Sequence, residues 1–137
     1  MSVDIGVANF LDTNILVYAL ADDARSAVAQ DLMQQPFIIS VQALNEFANV
    51  GRRKLALPWP RVAGHIEDIT LAAHRVLAIE PAFTGTALRL AERYNLAFYD
   101  ALMVAAALSA GCRTYYSEDL HHGLVIDGGL TVINPFR

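Results

Sequence analysis

From Val7 to Leu11 the chain is apolar but for Asn9, breaks at Asp12-Thr13-Asn14, and resumes as a second apolar run from Ile15 to Leu20. A short apolar run bounded by polar residues reads as a buried strand, and Thr and Asn suit a helix start. The opening therefore predicts a strand that ends on Asp12 and a helix that follows it. After the polar break Asp22-Asp23, a helical pattern through Ala27, Val28, Asp31, Leu32 and Met33 runs to Gln35. Pro36 stops it, and Phe37-Ile38-Ile39 reads as a second strand. Ser40 suits the N-cap of the next helix, which is expected to place Val41, Leu44, Ala48 and Leu55 on its apolar face. Gln42, Glu46, Asn49 and Arg53 fall on a neighbouring polar stripe.

Pro58-Trp59-Pro60 reads as a loop, with a helix from about Arg61 to Ala73 behind it. Arg75 to Ile79 reads as a third strand, closed by Glu80-Pro81, and Thr84 to Tyr94 as a helix that stops at Asn95. A further helix is expected from near Asp100 to Gly111, then strands at Arg113 to Ser117 and Leu130 to Ile133, the last closed by Pro135. Strands that alternate with helices need crossover connections. The pattern therefore predicts an α/β fold of three layers, α/β/α, around a mainly parallel sheet of about five strands. No repeat, low-complexity tract or linker interrupts it, and 137 residues can bury a substantial core, so residues 1–137 read as a single domain.

Composition narrows the class. Apolar residues make up 55% of the chain and charged residues 18%, with a mean hydropathy of +0.35, which suits either a generous alanine content or an apolar face covered by another chain. A formal net charge of -4 argues against a broad electrostatic grip on nucleic acid, though not against local contacts. Cys112 is the only cysteine, so no internal disulfide and no thiolate metal site can form, as fits a reducing cytoplasm. Met1-Ser2-Val3-Asp4 has no basic lead-in of the signal-peptide kind. Ala101 to Ala110 falls well short of the about 20 residues that a membrane span needs, and reads as a buried helix.

Four carboxylates occupy equivalent places in this layout. Asp12 ends the first strand, Glu46 lies early in the helix after the second, Asp100 opens a helix, and Asp119 follows the fourth strand. In a parallel sheet those junctions share one edge, where ligands bind in α/β folds. Taken alone, Asp12 and Asp100 read as helix caps, and Asp119 reads equally as a turn residue. Glu46 has no basic residue three or four positions away to pair with it. Together, the four would raise one another's pKa unless a cation neutralised them, and sparse carboxylates that leave room for water suit Mg²⁺ or Mn²⁺. His121 and His122 are adjacent, a poor arrangement for two ligands on one ion, and without paired cysteines they read as solvent-facing or substrate-contacting.

Asp12 to Tyr18 (Asp-Thr-Asn-x-Leu-Val-Tyr), Leu44 to Phe47, Tyr99 to Ala107 and Tyr116 to Gly123 (Tyr-Ser-Glu-Asp-Leu-His-His-Gly) resemble the motifs of the PIN domain. More narrowly, they resemble the VapC toxins of bacterial type II toxin–antitoxin systems, and the likeness runs essentially the full length, to Val132–Phe136. It implies a metal-dependent endoribonuclease that leaves 5′-phosphate and 3′-hydroxyl ends. On it, Asp12, Glu46, Asp100 and Asp119 match the catalytic, metal-binding acidic positions. Thr13, Asn14 and Ser117 match the small polar residues that orient them. Asp127, beyond the motifs, reads as a turn residue before Gly128-Gly129 and stays outside the set.

The resemblance also implies a homodimer, and inhibition by a small antitoxin whose C-terminal segment enters the acidic groove. Arg52-Arg53-Lys54 is the only basic run and a candidate RNA contact, although cations near a helix C-terminus also offset its dipole. Two other readings stay open. A haloacid-dehalogenase-like phosphatase would want a second Asp where Asn14 stands and a later Lys than Lys54, the only lysine. A non-catalytic PIN-like binding module would not need four intact acidic positions.

Overall fold

The computed structural model describes residues 8–137. Val7, where the first strand was expected to begin, and Met1 to Asp4 lie outside those residues. In chain order the elements are β1 (Asn9–Leu11), α1 (Thr13–Leu20), α2 (Ser26–Met33), β2 (Phe37–Ser40), α3 (Val41–Arg53) and α4 (Trp59–Ala72). There follow β3 (Arg75–Leu77), α5 (Pro81–Tyr94), α6 (Phe98–Ser109), β4 (Thr114–Tyr116), β5 (Val125–Ile126) and β6 (Leu130–Ile133). The sheet order is β3-β2-β1-β4-β6-β5, parallel throughout except for β5 with β6.

Alternation along the strands divides the core into the expected layers. Phe10, Ile38, Tyr115 and Val132 point to one face, where α5 and α6 cover them with Leu90, Ala101 and Ala105 among others. Leu11, Phe37 and Ile39 point to the other, against Ile15, Leu16, Ala29, Phe47 and Ile69 of α1 to α4. Successive strand residues face opposite sides, so buried strands read as continuous apolar runs. The chain passes from β1 to β2 on one side and from β4 to β6 on the other. A crevice therefore opens between the C-terminal ends of β1 and β4.

Several boundaries differ from the sequence reading, each for a local reason. Pro58-Trp59-Pro60 is a helix start rather than a loop: Pro58 is the N-cap and Pro60 sits in the first turn, where its missing N–H costs no hydrogen bond. Pro81 likewise opens α5 three residues before Thr84, and β3 ends at Leu77 rather than Ile79. The buried row of α3 is Ala43, Phe47 and Gly51, not Val41, Leu44, Ala48 and Leu55. Val41 and Leu55 are exposed; Phe47 fixes the inward face, and a Cβ on Gly51 would stand 3.4 Å from Val62 of α4. The sixth strand, β5, is too short to show a period. Asp127 (φ 49°) and Gly128 (φ 70°) form a tight turn into β6, closed by Gly129 N–H donating to Ile126 C=O at 3.0 Å. Asn95 (φ 54°) and Gly111 (φ 75°) end their helices in the left-handed conformation, as expected. Among the described residues no helix is long and apolar enough to cross a membrane.

Candidate active site

Asp12 sits at the crevice. Its backbone N–H donates to Tyr116 C=O at 3.0 Å, extending the β1–β4 pairing by one residue. Its side chain caps α1: Oδ1 accepts from the Thr13 N–H at 2.7 Å. Oδ2 accepts from the fully buried Ser117 Oγ, also at 2.7 Å. Asp12 is therefore the cap of α1, and the side chains of Thr13 and Asn14 are turned elsewhere. Thr13 Oγ1 donates to Glu46 Oε2 at 2.8 Å, and Asn14 Nδ2 donates to Asp119 Oδ2 at 3.1 Å. Three consecutive residues thus engage three parts of the cleft.

The remaining supports are neutral as well. Gln42, one helical turn before Glu46, donates to its Oε1 at 3.3 Å, and the Asp119 N–H donates to Ser117 Oγ at 3.1 Å. Asn14 Oδ1 accepts from the Glu118 N–H at 3.4 Å. Asp100 lies in the first turn of α6, not at its opening; the N-cap is Ala97. Among the described residues the ion pairs join Arg25 to Asp23 and Glu118, and Arg89 and Arg93 to Asp127. None of the four cleft carboxylates is in that set.

Electrostatics register this crowding. Burial pushes Asp12 up to about 6, and although the Ser117 and Thr13 hydrogen bonds oppose the rise, Asp119 and Asp100 add to it. Asp100 is raised by burial, then by Asp119 and Glu46. Carboxylates held close by neutral donors are a donor set in need of a cation. Among the described residues no three His, Cys, Asp or Glu side chains already close on one point, so this is no preformed cage. The residues fit a hard divalent ion that keeps several of its waters better than tetrahedral zinc.

His121 and His122 diverge. His122 Nδ1 accepts from the Asn134 N–H at 3.0 Å, a structural tie, while His121 lines a recess beside Asp100 and Asp119. The basic run also splits. Arg52 donates to Leu57 C=O at 2.9 Å and stacks 4.6 Å from the Trp59 ring centre, which commits it to the α3–α4 turn. Arg53 lies beside Asn49 and Lys54 on the surface, and only Lys54 enters the groove of about 390 Å³ that contains Glu46, Thr13 and Asp119. Asp127 is taken up by Arg89, at 2.8 and 3.2 Å, and by Tyr94.

Sequence reasoning missed a support. Tyr18 OH donates to Glu118 Oε1 at 2.5 Å, and Arg25 donates to Tyr18 OH at 2.8 Å while stacking on its ring. This tie holds the residue between Ser117 and Asp119. Its one sequence signal is that Tyr18 lies four residues after Asn14, on the same helix face.

An α/β sheet with an acidic crevice at its switch point defines a class, and the comparisons name it. The PIN domain family model matches residues 10–122, and the chain belongs to that family. Among solved structures, a toxin–antitoxin complex from Klebsiella pneumoniae matches with a TM-score of 0.70 and 21% identity, over 93% of this chain and 98% of that one. VapC20 of Mycobacterium tuberculosis, described as a sarcin–ricin loop cleaving toxin, matches with a TM-score of 0.65 and 21% identity over 79% and 87% of the two chains. VapBC2 of Rickettsia felis, bound to promoter DNA, gives 0.65 and 18% over 92% and 97%. At these identities the likeness is one of fold. No curated protein matches the sequence.

Proposed function

We propose that this protein is a Mg²⁺- or Mn²⁺-dependent endoribonuclease, the toxin of a toxin–antitoxin pair, acting in the cytoplasm as a single-domain subunit of a homodimer. The observation that carries the reading is the carboxylate cluster at the β1–β4 crevice, in which neutral donors hold Asp12, Glu46 and Asp119 and no ion pair among the described residues engages any of the four carboxylates. Membership of the PIN family and the fold shared with toxin structures support it.

On this reading Asp12, Glu46, Asp100 and Asp119 hold the cation. Bound there, a divalent ion supplies charge neutralisation at the phosphate and a lowered pKa for attacking water. The protein's own contribution is placement. Ser117 and the Thr13 N–H fix both oxygens of Asp12, Thr13 Oγ1 fixes Glu46, and Asn14 fixes Asp119. Such supporting contacts typically change metal affinity or activity by about 10- to 100-fold when removed. Lys54 is placed to meet a phosphate of the RNA. A cognate antitoxin would inhibit by setting an Arg or Lys among the carboxylates, as charge-assisted pairs are strong. The phosphatase reading loses ground because Asn14, where a second Asp would be needed, already bridges Asp119 and the Glu118 N–H.

The test is cleavage of RNA by purified protein with Mg²⁺ or Mn²⁺ and with EDTA, comparing the parent with Asp12→Asn and Asp100→Asn. Cleavage that requires the ion and drops at least about 100-fold in both variants is expected. Undiminished cleavage in the variants would overturn the reading.

A further inference from the structure

Asp119 stands between two recesses of different character. On one side lies the groove that contains Glu46 and Lys54. On the other, a recess of about 350 Å³ is lined by Leu96, Ala97, Leu120 and Leu124 and by the polar side chains of Tyr94, Asn95 and His121. That volume is at the low end of the roughly 300–1,000 Å³ of small-molecule pockets, and the lining sets apolar and polar side chains side by side. Its charged lining residues are Asp100 and Asp119, both acidic and both assigned above to the cation, and no Lys or Arg lines the recess to pair with a phosphate of its own. An unpaired nucleobase has no charge, a flat face for apolar side chains, and an edge for hydrogen bonds.

The Tyr94 hydroxyl is taken up by Asp127, while Asn95 and His121 stand on fixed backbone. Asn95 is the left-handed exit residue of α5, its N–H donating to Ala91 C=O. His121 precedes His122, which is tied to the Asn134 N–H, and His121 C=O accepts from the Leu124 N–H at 3.2 Å. Recognition of one base over another needs polar groups held in this way.

We propose that this recess is a nucleobase subsite. It takes an unpaired base of a single-stranded RNA segment next to the scissile phosphate, with Asn95 and His121 reading the base edge, while the backbone phosphate lies on the Lys54 side of Asp119. The subsite rests on the nuclease reading above and adds to it where sequence preference resides.

The test is cleavage of an RNA pool with a randomised single-stranded loop, the ends being sequenced, by the parent, Asn95→Gly, His121→Ala and the double variant. Glycine at position 95 keeps the left-handed backbone that alanine would strain. The parent is expected to favour one base beside the cut. The double variant should flatten that preference and lower kcat/KM on the favoured sequence about 3- to 30-fold, the loss falling mainly in KM. In parallel, fluorescent oligonucleotides differing at that base are titrated into Asp12→Asn with and without the two substitutions. A pool that is cut with unchanged preference and KM overturns the subsite alone. A pool left uncut by the parent, with base-selective binding that disappears in the double variant, overturns the nuclease reading and retains the subsite. Binding indifferent to the base in every form overturns the subsite as well.

Discussion

Burial, with Asp119 and Asp100 nearby, lifts the Asp12 pKa from 3.8 to about 6, so the folded protein favours its neutral form and the unfolded chain does not. The stability that goes with this is fully present below pH 3.8 and is lost as pH rises through about 6. At one pKa unit per about 1.4 kcal/mol the loss is at most about 3 kcal/mol. With EDTA present, the thermal midpoint of the parent should therefore fall between pH 4 and pH 6.5. Asp12→Asn should fall less steeply and melt higher at pH 7, the residual slope belonging to Asp100, whose pKa is raised in the same direction. Melting curves at several pH values check this, and an unchanged slope in Asp12→Asn would remove Asp12 as its source. What is legible in the sequence at this scale is position: Asp12, Glu46 and Asp119 each come shortly after a strand, and parallel strands end at one edge, while Asp100 comes at the start of a helix that follows another helix. The partners are not legible. Thr13 meets Glu46 across 33 residues and Ser117 meets Asp12 across 105, and no local rule says that Asp12 keeps the cap while Thr13 and Asn14 look away.

At the scale of elements, α6 has the narrowest tolerance. Residues Ala101 to Ala107 are all buried, and four of the seven are alanine, the others being Leu102, Met103 and Val104. Small side chains allow the helix to lie close to its neighbours in the core it shares with α5 and the sheet, where Ala106 is fully buried. Ala106→Leu should therefore overpack this contact and destabilise by about 1–3 kcal/mol, read as a lower denaturant midpoint at unchanged slope. A parental midpoint would show slack in the packing around α6. This helix is legible because an apolar run of its length has few other fates, and Gly111 marks its exit. The α3 stripe is not, since Val41, Leu44, Ala48 and Leu55 satisfy a helical period as well as the row that is buried. Phe47, which turns inward, and Gly51, where a Cβ would stand 3.4 Å from Val62, separate the two registers. The Pro-Trp-Pro start of α4 is ambiguous in the same way, because proline both ends helices and begins them.

For the molecule as a whole, a net charge of -4 and an acidic cleft leave little to attract RNA from a distance. Of the three basic side chains in the run, Arg52 is engaged with Leu57 and Trp59, Arg53 is on the surface outside the main groove, and Lys54 alone lines it. Binding of single-stranded RNA should therefore release few counterions. With one or two phosphates neutralised, the logarithm of the binding constant should fall with that of KCl concentration at a slope of about -0.7 to -1.4, at fixed Mg²⁺. Lys54→Glu should weaken binding several-fold and flatten the slope further. Arg52→Ala should leave the slope unchanged and instead lower stability, because it removes a carbonyl contact and a stacked ring. Titrations at several KCl concentrations distinguish these outcomes. A slope of several units, or one unmoved by Lys54→Glu, would mean that RNA is held by a cationic surface elsewhere, such as one formed across a dimer, and would take Lys54 out of the binding site.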